Sequence, residues 1–283
     1  MPMLWRAEMR YDLNEILNLA EKGGFAVPAF NVYNLETLMG VVHAAEETGA
    51  PVILQMYSRL FDTESGVFMA PAIRDAVDRL KTPAAFHLDH GVGIKECIRA
   101  IRFGATGVML DASTLPIEEN IAAVKEAVKT ASSIGVPVEG ELGHIGSTKD
   151  EVWASYTEKE DAVRFVNETG VSALAIMVGT AHGKYTKAPK LAIDRIAEIH
   201  AATPAHLVLH GGSGVPDDQI KASIEAGIRK VNFGTDVCCS FIEGYRSLDP
   251  YGAPLDVVMA RASDFVKDFA IEKIKLLGAD KYN

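Results

Sequence analysis

Cysteine is scarce in this 283-residue chain, which has only Cys97, Cys238 and Cys239. Three thiols, two of them adjacent, make neither a disulfide framework nor a zinc-type spacing. Their rarity is that of a protein kept in a reducing cytosol, and the adjacent pair reads as small buried residues, not as a redox centre. A basic surplus is also missing. Lys and Arg number 28 against 38 Asp and Glu, a net charge of −10, which argues against a nucleic-acid face and leaves room only for a local basic pocket. No apolar run is long enough to cross a bilayer. The first residues, with Arg6, Glu8, Arg10 and Asp12, hold no apolar core suited to export. No linker-like stretch splits the chain. The expectation is one domain over residues 1–283, cytoplasmic, with no membrane and no nucleic-acid partner. With 48% hydrophobic residues, the chain has ample material for a large core.

What the chain does have is a repeated ending. Leu207-Val208-Leu209-His210-Gly211-Gly212-Ser213-Gly214 is a short apolar run closed by histidine and glycine. Phe86-His87-Leu88-Asp89-His90-Gly91 and Ile176-Met177-Val178-Gly179-Thr180-Ala181-His182-Gly183 repeat the pattern. Such runs have strand length and strand character. Taken in order, eight of them alternate with helical segments: 25–31, 51–56, 84–89, 107–111, 136–141, 172–178, 207–209 and 230–233. A short helix over 14–22 precedes them and a long one over 254–277 follows. Nearly continuous apolar strands alternating with helices call for parallel strands covered on both faces. Eight units fit a (β/α)8 TIM barrel with a C-terminal helical extension, the competing architecture being an open doubly wound sheet. Asn31, Gln55, Asp89, His90, Asp111, Glu141, His182, His210 and Asn232 all fall at or just past C-terminal strand ends. A barrel gathers those ends on one face, whereas an open sheet spreads them apart, so the barrel is preferred.

Three neutral imidazoles with an open position describe a catalytic zinc site, and zinc acts there as a Lewis acid. His90, His182 and His210 are the candidates. Any one alone reads better as a strand-end histidine bonded locally; the repetition turns the balance. His144, in the polar stretch 143–156, is a weaker participant. Asp89 either orients a ligand or transfers protons. Asp111 and Glu141 support the ligands or hold a transient second metal position, the bland alternative being solvated strand-end carboxylates. The loops Gly211-Gly212-Ser213-Gly214 and Asn232-Phe233-Gly234-Thr235 follow strands seven and eight, where barrels commonly bind a phosphate.

With these residues in view, the sequence resembles the class II, zinc-dependent ketose-bisphosphate aldolases, in particular the shorter fructose- and tagatose-bisphosphate branch. The resemblance runs from Ala29-Phe30-Asn31 to the tail. It rests on Leu88-Asp89-His90-Gly91, Glu139-Gly140-Glu141-Leu142-Gly143, Gly179-Thr180-Ala181-His182-Gly183, His210-Gly211-Gly212-Ser213-Gly214 and Asn232-Phe233-Gly234-Thr235. It implies Zn2+ on His90, His182 and His210, and dihydroxyacetone phosphate as one product. It further implies that Asp89 exchanges the hydroxyl proton of the aldehyde half. Asn31, Gly183, Lys184, Gly211, Gly212, Ser213, Asn232, Gly234 and Thr235 are the substrate-binding candidates, with a Na+ or K+ ion near the phosphate. Such proteins form homodimers or homotetramers, and the tail helix packs on the barrel or across a subunit contact. The implied activity is reversible cleavage of a fructose- or tagatose-type ketose 1,6-bisphosphate to dihydroxyacetone phosphate and an aldehyde such as glyceraldehyde 3-phosphate, a glycolytic type of reaction.

The chain departs from the family in places. Lys149 occupies the position of the family's loop glutamate, the base at carbon; Asp150 and Glu151 follow, and either stands in, Glu151 having the longer reach. The family's phosphate-contacting lysine falls on Thr186, flanked by Lys184 and Lys187. The segments Tyr57–Asp62 and Asp249–Arg261 are also atypical, which concentrates the novelty on the aldehyde half. Two other readings stay open: an aldolase of the same family acting on a different ketose 1-phosphate, and a non-catalytic sugar-phosphate-binding subunit. A Schiff-base aldolase needs a lysine projecting from a strand into the site; strand six has none, and Lys230 opens strand eight.

Overall fold

The structure is a computed structural model and describes residues 9–146, 156–183, 185, 188–249 and 251–282. Helix α1 (Leu13–Gly23) comes first, followed by β1 (Val27–Asn31), α2 (Leu35–Thr48), β2 (Val52–Tyr57), α3 (Ser58–Phe61), α4 (Glu64–Arg79) and β3 (Ala84–Gly91). Then come α5 (Ile94–Phe103), β4 (Gly107–Leu110), α6 (Ile117–Ser132), β5 (Val138–Leu142), α7 (Lys159–Thr169) and β6 (Ala173–Ile176). The chain ends with α8 (Ile193–Ala202), β7 (His206–Leu209), α9 (Asp217–Glu225), β8 (Ile228–Phe233), α10 (Thr235–Arg246) and α11 (Leu255–Leu276). The eight strands close in sequence order, every pairing parallel, with Val27 of β1 opposite Lys230 of β8. This is the (β/α)8 barrel expected from the apolar runs.

The strands are buried on both faces, which is why they read as continuous apolar segments without alternation. Asp12 caps α1 in a reciprocal box with Glu15, and α1 buries Leu13, Ile16, Leu17 and Ala20. Its Leu13 side chain sits against Gly107 at the start of β4, so the helix covers the N-terminal end of the barrel. The tail helix α11 packs on α2 and α10. Small residues allow the approach: a Cβ on Gly40 would meet Ser263 O at 2.8 Å, and one on Gly244 would meet the Ala262 Cα at 2.8 Å. Phe269 of α11 stands edge-on to Phe30 and Phe233, the outward aromatics of β1 and β8. The carbonyl of Leu277 accepts from the Ala26 N–H at 3.2 Å, tying the tail to the first strand.

Four local differences from the sequence expectation have physical causes. Helix α4 starts at Glu64, where a sequence reading of the helical segment places its start near Pro71; the Thr63 hydroxyl caps it by accepting from the Gly66 N–H, and Pro71 sits inside the helix. Helix α10 is absent from the sequence expectation; its buried face is short, Val237 and Gly244 with Phe241 partly buried beside them. The single turn α3 is absent from it too, being too short for periodicity to register. Strand β6 ends at Ile176, so His182 stands six residues beyond it. Among the described residues, no helix is long and apolar enough to cross a membrane.

Candidate active site

Side chains two apart on a strand share a face, and three such pairs line the inside of the barrel: His87 and Asp89 on β3, Glu139 and Glu141 on β5, Lys230 and Asn232 on β8. The outer member of each pair, nearer the C-terminal end, belongs to the mouth. Asp89 and His90 are adjacent, and regular pleating would send them to opposite faces. His90 resolves this with a left-handed backbone, φ 49°, and the β3–β4 register shifts between Leu88 and Gly91. A non-glycine residue in that region carries strain that its surroundings must hold. The strain lets both side chains serve the mouth.

His210 follows β7 directly. Gly211, at φ 66°, is the turn: a Cβ there would lie 2.5 Å from Ala181 O. The Tyr185 hydroxyl accepts from the Ala181 N–H at 2.7 Å and lies within donating distance of Ala181 O (2.9 Å) and Gly211 O (3.0 Å). It thereby pins the loop carrying His182 to the end of β7. The three imidazoles converge. His90 and His210 ring centroids are 4.8 Å apart, His90 and His182 4.9 Å, His182 and His210 5.8 Å. One ring nitrogen from each lies within 4.8 Å of the other two.

Carboxylates hold the rings from behind. His90 Nδ1 is 2.8 Å from Asp111 Oδ2, and His210 Nε2 is 2.9 Å from Glu139 Oε1. His90 Nε2 and His210 Nδ1 therefore face each other, at 3.1 Å. Burial works against a charge on His90, but Asp89, the Asp111 hydrogen bond and Glu141 outweigh it and lift its pKa to about 10. Burial and the neighbouring His90 and His210 pull His182 down to about 3. Burial likewise lowers His210, against its bond to Glu139. The site thus calls for one cation at the meeting point of the rings, whether a proton on His90 or a metal ion. His182 Nε2 is buried without a hydrogen-bond partner, the orphan expected of a metal-ligating nitrogen. Three imidazoles, two of them backed by carboxylates, fit zinc. A second group within the same limit, His90, Asp111 and Glu141, shares one ligand with the first.

Asp89 is held from two sides. Its Oδ2 accepts from Asn31 Nδ2 at 2.8 Å and its Oδ1 from Asn232 Nδ2 at 3.1 Å, while Gln55 Nε2 donates to Asn31 Oδ1 at 2.7 Å. Its Oδ1 lies 4.0 Å from His90 Nε2. Burial pushes the Asp89 carboxyl up, but His90, His210, Lys230 and the Asn31 bond bring it below the usual carboxylate range. Glu141 is different: burial and the nearby Asp111 raise it to about 8. Its Oε1 accepts from the Ser113 hydroxyl (2.9 Å) and the Ile145 N–H (3.0 Å), and Ser113 Oγ also lies 3.1 Å from His144 Nδ1.

Above these groups opens a cavity of about 390 Å³, lined by Asn31, Asp89, His90, His182, Gly183, Gly211, Ser213, Asn232, Gly234 and Thr235, and also by Tyr33, Tyr57, Arg59 and His144. The Asp236 N–H, in the first turn of α10, donates to Ser213 Oγ at 3.3 Å, joining the two glycine loops. A helix start beside glycine turns is a ready anion site. Gly212 stands behind the lining, where a Cβ would meet Val231 at 2.6 Å. Asp111 and Glu141 back the histidines without facing the cavity. Lys149, Asp150, Glu151, Lys184, Thr186 and Lys187 lie outside the described residues. Sequence reasoning left Glu139, Lys230, Ser113 and Arg59 out of the candidate site. The first two carry a usable signal, a polar residue two before a candidate on an otherwise apolar strand. Arg59 sits in the one-turn helix after β2, where no periodicity marks it.

A closed parallel barrel with a histidine–carboxylate cluster in a cavity at its mouth has the architecture of a barrel enzyme, whose active sites lie at that end. Residues 11–281 match the family model described as Fructose-bisphosphate aldolase class-II. The chain is 35% identical over 273 residues to the Sulfofructosephosphate aldolase of Alkalicoccus urumqiensis, covering 94% of this chain and 95% of that one. It is 38% identical over 234 residues to the 6-phospho-5-dehydro-2-deoxy-D-gluconate aldolase of Shouchella clausii (strain KSM-K16), covering 81% and 80%. The crystal structure of the YdjI aldolase from Escherichia coli K12 superposes with a TM-score of 0.89 at 34% identity, covering 97% of this chain and all (100%) of that one. The chain belongs to the class II fructose-bisphosphate aldolase family.

Proposed function

We propose that this protein is a zinc-dependent ketose-phosphate aldolase, a lyase that reversibly cleaves a ketose 1-phosphate to dihydroxyacetone phosphate and an aldehyde ending in an anionic group. A fructose- or tagatose-type ketose 1,6-bisphosphate is one such substrate, with glyceraldehyde 3-phosphate as the aldehyde. The observation that carries the reading is the convergence of His90, His182 and His210 beside Asp89 in one cavity with the two glycine loops. A zinc ion on these histidines supplies Lewis-acid stabilisation of the negative charge that carbon–carbon cleavage leaves on the ketone half. Asp111 and Glu139 hold His90 and His210 in the ligating orientation, and Glu141 backs the set.

Asp89 takes the hydroxyl proton of the carbon that becomes the aldehyde, and returns it in synthesis. Asn31 and Asn232 keep both its oxygens aimed and its charge in place. Asn31, Gly183, Lys184, Gly211, Ser213, Asn232, Gly234 and Thr235 form the cradle of the triose phosphate, with Gly212 behind them as part of the turn and Na+ or K+ beside it, and the start of α10 adds N–H donors. Asp150 or Glu151 exchanges the carbon-bound proton of the triose phosphate.

Arg59 favours a reading wider than the bisphosphate. Its guanidinium lies 5.2 Å from the Tyr57 ring centre, and both residues line the cavity. A planar cation lying over an aromatic ring recognises carboxylate, sulfonate and phosphate alike. The two relatives named above carry a sulfonate and a sugar-acid carboxylate in the names of their substrates. The chain is proposed to act as one cytoplasmic catalytic domain in a homodimer or homotetramer; Cys97, Cys238 and Cys239 are all free thiols. The test is a panel pairing dihydroxyacetone phosphate with glyceraldehyde 3-phosphate, with sulfonate- and carboxylate-ended aldehydes, and with neutral glyceraldehyde, before and after chelation and zinc return. Turnover indifferent to chelation removes the metal, preference for the neutral aldehyde removes the anionic group, and no turnover at all leaves the sugar-phosphate-binding subunit.

A further inference from the structure

Beneath the imidazoles the barrel holds a charge pair that the proposed chemistry does not use. Lys230 Nζ lies 2.7 Å from Glu139 Oε2, and both side chains are 0% exposed. Glu139 is thereby shared: one oxygen takes the Lys230 ammonium and the other faces His210 Nε2 at 2.9 Å. Burial alone would push the Glu139 carboxyl up, yet Lys230, with the His210 and His87 contacts, holds it well below the usual range. A third partner waits at the side. His87 Nε2 is 3.3 Å from Glu139 Oε2 but poorly aligned, and both its ring nitrogens lack a hydrogen bond.

Lys230 cannot meet substrate. Asn232, two residues nearer the mouth on the same face of β8, stands between it and the cavity, and the ammonium is enclosed by Glu139 and His87. The Schiff-base role is closed to it for the same reason. We propose that Lys230 is a positioning residue of the metal centre, acting through Glu139 on His210. The ammonium anchors Oε2, which fixes the carboxylate plane so that Oε1 accepts from His210 Nε2–H. That bond leaves His210 Nδ1, the atom facing His90, as the lone-pair nitrogen. Without the anchor, Glu139 turns toward His87, and His210 loses both its orientation and its tautomer. Partners that orient metal-bound histidines typically hold 10–100-fold of metal affinity. A buried pair also stabilises little in itself compared with an apolar replacement, so a positioning role accounts for keeping it.

This inference rests on the zinc site proposed above, and the experiment separates the two. Zinc dissociation constants are measured by chelator competition, and the visible spectrum of the cobalt(II)-substituted protein reports ligand geometry. Parent, K230M, K230R, E139Q and the K230M/E139Q double variant are compared. A parent that binds no zinc overturns the zinc site itself. Given a zinc-binding parent, K230M is expected to bind zinc about 10–100-fold more weakly with a shifted cobalt spectrum, and K230R to recover most of the loss. Adding K230M to E139Q should change the affinity less than about twofold, since the path through Glu139 is already cut. Parental affinity and spectrum in K230M, or a full second loss in the double variant, overturns the proposal. If a single variant leaves a buried charge unpaired and fails to fold, the double variant removes both charges and folds. It should then bind zinc at least about tenfold more weakly than the parent, and parental binding overturns the proposal there too.

Discussion

Replacing Asp89 by Asn separates the proton-transfer role from the structural one, because the hydrogen-bond network allows its cost to be worked out. In the parent each carboxylate oxygen accepts one amide, from Asn31 at 2.8 Å and from Asn232 at 3.1 Å. The introduced amide would present one oxygen and one NH2, so one neighbour meets a donor. Asn31 is the wrong one to turn, since its Oδ1 already takes Gln55 Nε2 at 2.7 Å. Asn232 is free to turn: its Oδ1 is buried without a partner, and a half-rotation of the amide aims that oxygen at the new NH2. No hydrogen bond is lost in number. Two charge-assisted bonds become neutral ones, a difference of about 1 kcal/mol each, and burial of a neutral amide in place of an anion offsets part of it. The net cost is about 0–2 kcal/mol, a fall of Tm within about 8 °C. The three histidines remain, so zinc stays bound. Turnover should fall ~10²–10⁴-fold, the usual contribution of a general acid–base group. The assay joins a cleavage rate, a thermal melt and zinc content on one preparation. A variant that turns over at the parental rate refutes the proton-transfer role, and one that loses its zinc refutes the claim that Asp89 stands outside the ligand set.

His210→Ala leaves the Glu139–Lys230 pair intact and removes one of three ligands, so zinc per chain should drop far below one; full occupancy by elemental analysis rejects the ligand set. Arg59→Gln should raise KM for an anionic aldehyde about tenfold or more, the loss of one charged hydrogen bond, with little change for neutral glyceraldehyde; equal effects on both would show that Arg59 does not read the anion. The Asp150→Asn, Glu151→Gln double variant should slow deuterium exchange at the carbon of dihydroxyacetone phosphate ~10²–10⁴-fold, and parental exchange moves the base elsewhere, His144 being next. Burial pushes the Cys97 thiol up to about 12. A thiol with a raised pKa stays protonated below it, so at pH 8 only about 10⁻⁴ of Cys97 is thiolate. Iodoacetamide should then label exposed Cys239 and spare Cys97 until the protein unfolds; rapid labelling of Cys97 in the folded protein contradicts its burial.

Eight apolar runs separated by helical segments were enough, from sequence alone, to specify a parallel barrel, because strands buried on both faces must be apolar throughout and parallel strands need helical crossovers. The histidines were legible for a related reason: a polar side chain ending an apolar strand has nowhere to go but the mouth. Tertiary structure decided the rest. His182 lies six residues past its strand, and tertiary contacts, among them the Tyr185 hydroxyl, the Gly211 turn and the His182 N–H bond to Gly146 O at 2.8 Å, bring its ring to the other two. His90 needed a left-handed backbone to share a face with Asp89, which no pattern of residue types announces. Glu139 and Lys230 are 91 positions apart in the chain and meet only because closing the barrel turns β5 and β8 to face one narrow interior. Spacing along a strand is local and can be read. Distances across a closed barrel depend on strand stagger and on the side chains that fill it, and those exist only once the chain has folded.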